Sequence, residues 1–259
     1  MLTHIMTVDL MVADMLNVNR VSKSFGGLKA VSNVDMTLRE GEILGLVGPN
    51  GAGKTTLLNM ISGVFRPDAG GIYFQDENIT RLSLDAICKK GIAKTFQHPR
   101  SFPGLSAKEG VMISALYGNG HKPGMKKAQE EAINCLHRVG FPEDKLDYPL
   151  GNLNTIDLRK TQLARALASR PKMLLLDEIM TGLTPSEGRE AVRLIRSLRD
   201  EGLTILMIEH VMKIIMEVSD RVIVLDQGEK IAEGTPREVA VDKRVIESYL
   251  GEQYHFQEH

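Results

Sequence analysis

The sequence predicts an α/β fold: a mostly parallel sheet, an antiparallel β layer beside it, and an inserted α-helical lobe. Three observations carry that expectation. Short apolar runs at Glu42–Val47, Met173–Leu176, Thr204–Ile208 and Val222–Leu225 alternate with helical patterns, as parallel strands and their crossovers require. Strand-like alternation opens the chain ahead of them. Between Ser106 and Arg165 that alternation stops and a helical period takes over. With 259 residues, 42% of them hydrophobic, the chain can bury a full core, and we expect one domain of two lobes.

Residues 1–14 contain Met1, Met6 and Met11 but no basic stretch leading into an apolar one, so they do not read as a signal peptide. They are expected to be a flexible extension or an upstream start, ahead of a single domain spanning 15–252 and a tail at 253–259. Leu16–Val21 alternates cleanly, Val31–Leu38 follows, and Gly70–Gln75 completes the antiparallel layer behind a Pro67-Asp68 turn. The helical lobe, about 100–165, contains a loop at Gly118–Gly124. It also contains a helix over Met125–Val139, whose apolar face carries Ala128, Ala132, Cys135 and Leu136 and which Gly140 and Pro142 close. Helices near Pro185–Arg199 and His210–Val218 then separate the last strands.

Gly48-Pro49-Asn50-Gly51-Ala52-Gly53-Lys54-Thr55-Thr56 lies between a buried strand and the opening of a helix. Glycines in that context let backbone N–H groups close around phosphate oxygens, and the helix N-terminus adds the positive end of its dipole. Lys54 would reach the β- and γ-phosphates, and Thr55 would offer a hydroxyl to Mg²⁺. A second run, Lys172 to Leu176, ends in Asp177 and Glu178 at the C-terminal edge of a strand, where ligands of α/β sheets bind. Asp177 would hold the metal shell and Glu178 would orient or deprotonate an attacking water. Acids often follow buried strands, so this pair gains meaning only from the phosphate loop upstream.

A formal net charge of -1 offers no global basic field, so nucleic acid is not an expected partner. Cys88 and Cys135 have neither metal nor redox spacing and are read as packing residues. No apolar run has the length to span a bilayer.

Together these features resemble the ABC-type ATPases over about Met15 to Glu252. The resemblance implies ATP and Mg²⁺ as ligands, and roles for further residues. Phe25, in Ser24-Phe25-Gly26-Gly27, would stack on adenine. Gln97, in Thr95-Phe96-Gln97-His98, would sense the metal and the water. His210, in Ile208-Glu209-His210, would be the switch contacting the γ-phosphate. Within the family, Phe25 to Val31, Gly182-Leu183-Thr184-Pro185 and the ending Val245 to Gly251 look like the ATP-binding subunits of branched-chain amino-acid uptake transporters. That likeness implies transmembrane permease subunits, a second ATP-binding subunit, an external solute-binding protein, and a place on the cytoplasmic face of the plasma membrane. Rival readings are the ATPase of a lipid or lipopolysaccharide exporter and a soluble ABC-type ATPase acting on nucleic acid.

The family's Leu-Ser-Gly-Gly-Gln signature corresponds here to Leu153-Asn154-Thr155-Ile156-Asp157, with neither glycine. Ile156 would obstruct a facing phosphate and Asp157 would repel it, unless Asp157 serves as the helix cap. A chain with sound loop residues and a degraded signature is expected to pair with a related subunit rather than with itself.

Overall fold

A computed structural model describes residues 13–96, 104–120, 123–180, 182–209 and 212–255. Two sheets form the core. The first is antiparallel and runs from β1 (Asp14–Phe25) and β2 (Leu28–Arg39), across β4 (Ala69–Phe74), to the short β5 (Glu77–Asn78), in the order β2-β1-β4-β5. The second holds β3 (Ile43–Val47), β6 (Ile92–Lys94), β7 (Met173–Asp177), β8 (Thr204–Ile208), β9 (Arg221–Asp226) and β10 (Glu229–Gly234), in the order β10-β9-β3-β8-β7-β6. All its neighbours pair parallel except the β9–β10 hairpin. The expected mixture of parallel core and antiparallel layer is present.

Parallel strands covered on both faces must be apolar throughout, and β3, β7 and β8 are buried at every residue. Their side chains alternate between two apolar clusters, as a period of two dictates. Leu174, Leu176, Val222 and Val224 belong to one cluster, with Val111, Leu136 and Leu163 of the helical lobe and with Ile195. Met173, Leu175, Ile223 and Leu225 face the antiparallel layer, packing with Leu16, Val18, Leu38 and Leu57. One cluster therefore runs from sheet to lobe without interruption, which fixes the lobe against the strand ends that carry the site.

Helix α1 (Lys54–Ile61) follows β3, and α2 (Leu84–Lys90) precedes β6. The lobe is built from α3 (Ala107–Tyr117), α4 (Met125–Arg138) and α5 (Thr155–Ala168), which pack on one another. Helix α6 (Pro185–Asp200) starts at a Thr184–Glu187 capping box with proline in its first turn. It is followed by α7 (Met212–Val218), α8 (Pro236–Ala240) and α9 (Lys243–His255). At the far end of the sheet, Arg221 grips Glu42 through both oxygens at 2.8 and 3.0 Å and donates to the Thr37 carbonyl, tying the two sheets together.

Several boundaries move from the expected ones. Strand β1 starts at Asp14, which pairs with Arg39, so the last residue assigned to the leader belongs to the layer; residues 1–12 lie outside the described part. Helix α9 continues past residue 252 into the expected tail. Strands β5, β6 and β10 were not expected: the first two span two and three residues, too short to show a period, and β10 is largely polar.

Candidate nucleotide-binding site

The segment from Gly48 to Gly53 turns β3 into α1 through a backbone that only glycine tolerates at its two ends. Gly48 has φ 146°, and a Cβ there would lie 2.0 Å from the Leu225 carbonyl oxygen. Gly53, the N-cap of α1, has φ 97°, and its Cβ would lie 2.3 Å from the Ala30 oxygen. Backbone approaches this close fix the path of the loop into the helix start, the arrangement in which N–H groups can receive an anion. The Gly228 N–H donates to the Ala52 carbonyl at 3.2 Å, so the β9–β10 turn backs the loop from outside.

Lys54 is buried, and its Nζ donates to the Gly48 and Pro49 carbonyls at 2.6 and 2.7 Å, which folds the ammonium over the loop. Lys54, Thr55 and Thr56 line a cleft of about 850 Å³ with Asn50, Gly51, Ala52, Gly53, Phe25 and Glu178. The sequence separates Lys54 from Glu178 by more than a hundred positions; the fold brings both to one cleft. Phe25 is 43% exposed, edge-on to Phe65 at 5.2 Å, so it is not a core residue and its ring faces the cleft beside Leu28.

Asp177 ends β7 almost fully buried. Its backbone N–H donates to Thr95 Oγ1 at 3.1 Å, and its carboxylate lies 3.4 Å from the Lys94 ammonium. Lys94 in turn donates to Asn59 of α1, so the acidic strand end is tied to the helix that begins at Lys54. Burial lowers the Lys94 pKa, and the Asp177 charge opposes that shift. Glu178 is buried with φ 53°, and its N–H donates to the Ile208 carbonyl at 3.0 Å. A non-glycine residue in that region is strained, a condition common where side chains must be aimed. Gln97 and His210, expected in the site, lie outside the described residues.

The oxygens expected to hold a metal are hard donors: the Thr55 hydroxyl lines the cleft, whereas the Asp177 carboxylate is buried beside Lys94 and is not among the lining residues. No group of three or more His, Cys, Asp or Glu side chains suited to a metal occurs among the described residues. A sparse oxygen set fits Mg²⁺, which relies on substrate phosphates and water for the rest of its shell.

The segment Leu153–Asp157 corrects one expectation. Asn154 is the cap of α5, accepting the Asp157 N–H at 2.8 Å. Asp157 is 4% exposed and turns into the lobe, where its carboxylate meets Lys145 Nζ at 2.6 Å. It neither caps the helix nor projects charge toward a facing phosphate. The bulk of Ile156 is what remains of the departure. Lys145→Met leaves the Asp157 carboxylate buried without its cation and lowers stability, though less than breaking a wholly buried pair would, because Lys145 is partly exposed. A denaturant melt of the variant checks this.

Lys94 and Glu209 were not among the expected site residues. Both were marked by one signal, a charged side chain at the end of an otherwise apolar strand.

Residues 31–181 match the model of the ABC transporter family, and residues 229–255 match that of the branched-chain amino acid ATP-binding cassette transporter. The high-affinity branched-chain amino acid transport ATP-binding protein LivG of Salmonella typhimurium is 39% identical over 92% of this chain and 98% of its own. The lipopolysaccharide export system ATP-binding protein LptB of Escherichia coli is 35% identical over the same shares. A nucleotide-free ATP-binding cassette from an ABC transporter superposes with a TM-score of 0.82 at 27% identity, covering 92% of this chain and 99% of that one. An ATP-binding cassette in its ADP conformation gives 0.81 at 28% identity, again covering 92% and 99%.

Proposed function

Because the chain belongs to the ABC transporter family, we propose that it is the ATP-hydrolysing subunit of a transporter for uptake of branched-chain or chemically related amino acids. The observation that carries this reading is the cleft that residues 50–56 and Glu178 line together. The match of residues 229–255 to the branched-chain type favours amino-acid uptake over the export of lipopolysaccharide.

In this reading the loop amides and Lys54 hold the triphosphate of ATP while Phe25 stacks on the adenine. Thr55, Asp177 and Gln97 hold Mg²⁺, which supplies positive charge to the phosphate oxygens. Glu178 orients the water for in-line attack on the γ-phosphate, and His210 contacts that phosphate. Catalysis is then mainly positioning and electrostatics, the pattern of phosphoryl transfer. No described helix is long and apolar enough to cross a membrane, so coupling to a membrane falls to permease subunits that the chain would dock on at the cytoplasmic face.

The partner across the nucleotide is a related ATP-binding subunit, and an external solute-binding protein delivers the amino acid. The heterodimer is favoured on steric grounds alone, by Ile156 in place of a signature glycine, now that Asp157 is accounted for within its own lobe. The complex isolated from membranes should contain two different ATP-binding chains. Its ATPase should rise with leucine, isoleucine or valine in the presence of the binding protein. Full, cooperative hydrolysis by this chain alone contradicts the heterodimer, and a complex with exporter permeases contradicts the substrate class.

A further inference from the structure

Glu209 directly follows β8 and is 2% exposed. Its Oε1 accepts the Met180 N–H at 2.9 Å, and its buried Oε2 has no hydrogen-bond partner among the described residues. One position earlier, the Ile208 carbonyl accepts the Glu178 N–H. The turn from Glu178 to Met180 is thus held at two points by one strand end. A buried carboxyl is a costly way to satisfy a single N–H, since a neutral acceptor would do so with less loss of hydration. Burial, with the charges of Glu178 and Asp177 adding to it against Arg159 and the Met180 hydrogen bond, pushes the Glu209 pKa up to about 7.

The left-handed backbone of Glu178 needs such restraint. At φ 53° it sits in a region that is unfavourable for a residue with a side chain and persists only where the surroundings impose it. The Ile208 bond fixes the entry to the turn and the Glu209 bond its exit. The residue supplying the second bond directly precedes position 210, so the strand end that restrains the base also leads into the switch.

We propose that Glu209 is a positioning residue for hydrolysis, clamping the turn that carries Glu178 to the strand end that leads into position 210. The proposal rests on the reading of Glu178 as the residue that orients the water. Its consequence is that the turn carrying Glu178 and the end of β8 hold one another in place, and that loosening the clamp misaims Glu178 without touching the phosphate cradle.

The test compares Glu209→Met, which removes the acceptor at nearly constant volume, with Glu209→Gln, whose amide oxygen still accepts from Met180. Both are assembled in the intact transporter beside native protein and Glu178→Gln. Misplacing a reacting group by about 1 Å costs on the order of 100-fold in rate. We expect Glu209→Met to lower kcat by at least about tenfold, with the Kd for nucleotide within about twofold of native, and Glu209→Gln to recover most of the loss. Unchanged kcat in Glu209→Met overturns the clamp. So does an equal loss of kcat and nucleotide affinity, which marks general weakening, and so does a Glu209→Gln variant as slow as Glu209→Met. If Glu209→Met does not fold, Glu209→Gln decides alone, and a kcat below about a tenth of native overturns the proposal. Normal turnover by Glu178→Gln would instead remove the base assignment, whatever the Glu209 variants do.

Discussion

Glu178→Gln binds MgATP with native affinity and hydrolyses it about 100- to 1,000-fold more slowly. The substitution keeps the volume of a side chain that sits in the wall of the cleft with Lys54 and Thr55, and it leaves the Glu178 N–H bond to Ile208 in place. Only the ability to accept a proton from water and to hold it in line is lost, and general-base catalysis contributes about 10²–10⁴ in rate. Affinity should survive because the proposed grip on the triphosphate, by the loop amides and Lys54, is left unchanged by the substitution. Single-turnover hydrolysis beside equilibrium nucleotide binding separates the two effects. Normal turnover would remove Glu178 from its assigned role while leaving the binding site intact.

Gly53→Ala abolishes nucleotide binding, with affinity falling by more than about 100-fold. The new methyl group would sit 2.3 Å from the Ala30 carbonyl oxygen, a backbone atom that cannot swing aside, at a φ of 97° that disfavours any side chain. Relief requires moving either β2 or the start of α1, and with it the N–H groups proposed to bind the phosphates. Gly51 makes the useful comparison. A Cβ there meets nothing within 4 Å, so Gly51→Ala pays only for its φ of 78° and should weaken binding far less. Equal losses at both positions would mean that the loop responds to backbone strain in general and not to the contact with Ala30.

The loop was legible in the sequence because phosphate binding by backbone amides needs consecutive residues, and Gly48 to Thr55 are consecutive. Asp177 and Glu178 were legible because an apolar strand that ends in acids stands out against its own hydrophobicity. Phe25 could be located from its motif, but whether it packed inside or faced a cleft depended on a neighbour, Phe65, forty positions away. The orientation of Asp157 was hidden for a similar reason. Near a helix start, one residue more or less turns a side chain from the outer surface to the lobe interior, and the presence of Lys145 to receive it is a tertiary fact. Glu209 is a mixed case: its charge after an apolar strand was visible, but its partner, a backbone N–H of another loop, was not. The fold followed from periodicity wherever strands were long enough to show one, and β6, with three residues, was not.

The most direct test is a titration of the purified chain with MgATP, followed by equilibrium binding, with Gly53→Ala in parallel. Saturable binding to the native chain that vanishes in the variant is the predicted result. A native chain that remains folded yet unoccupied at saturating MgATP would contradict the assignment of the Gly48–Thr55 loop as a phosphate cradle.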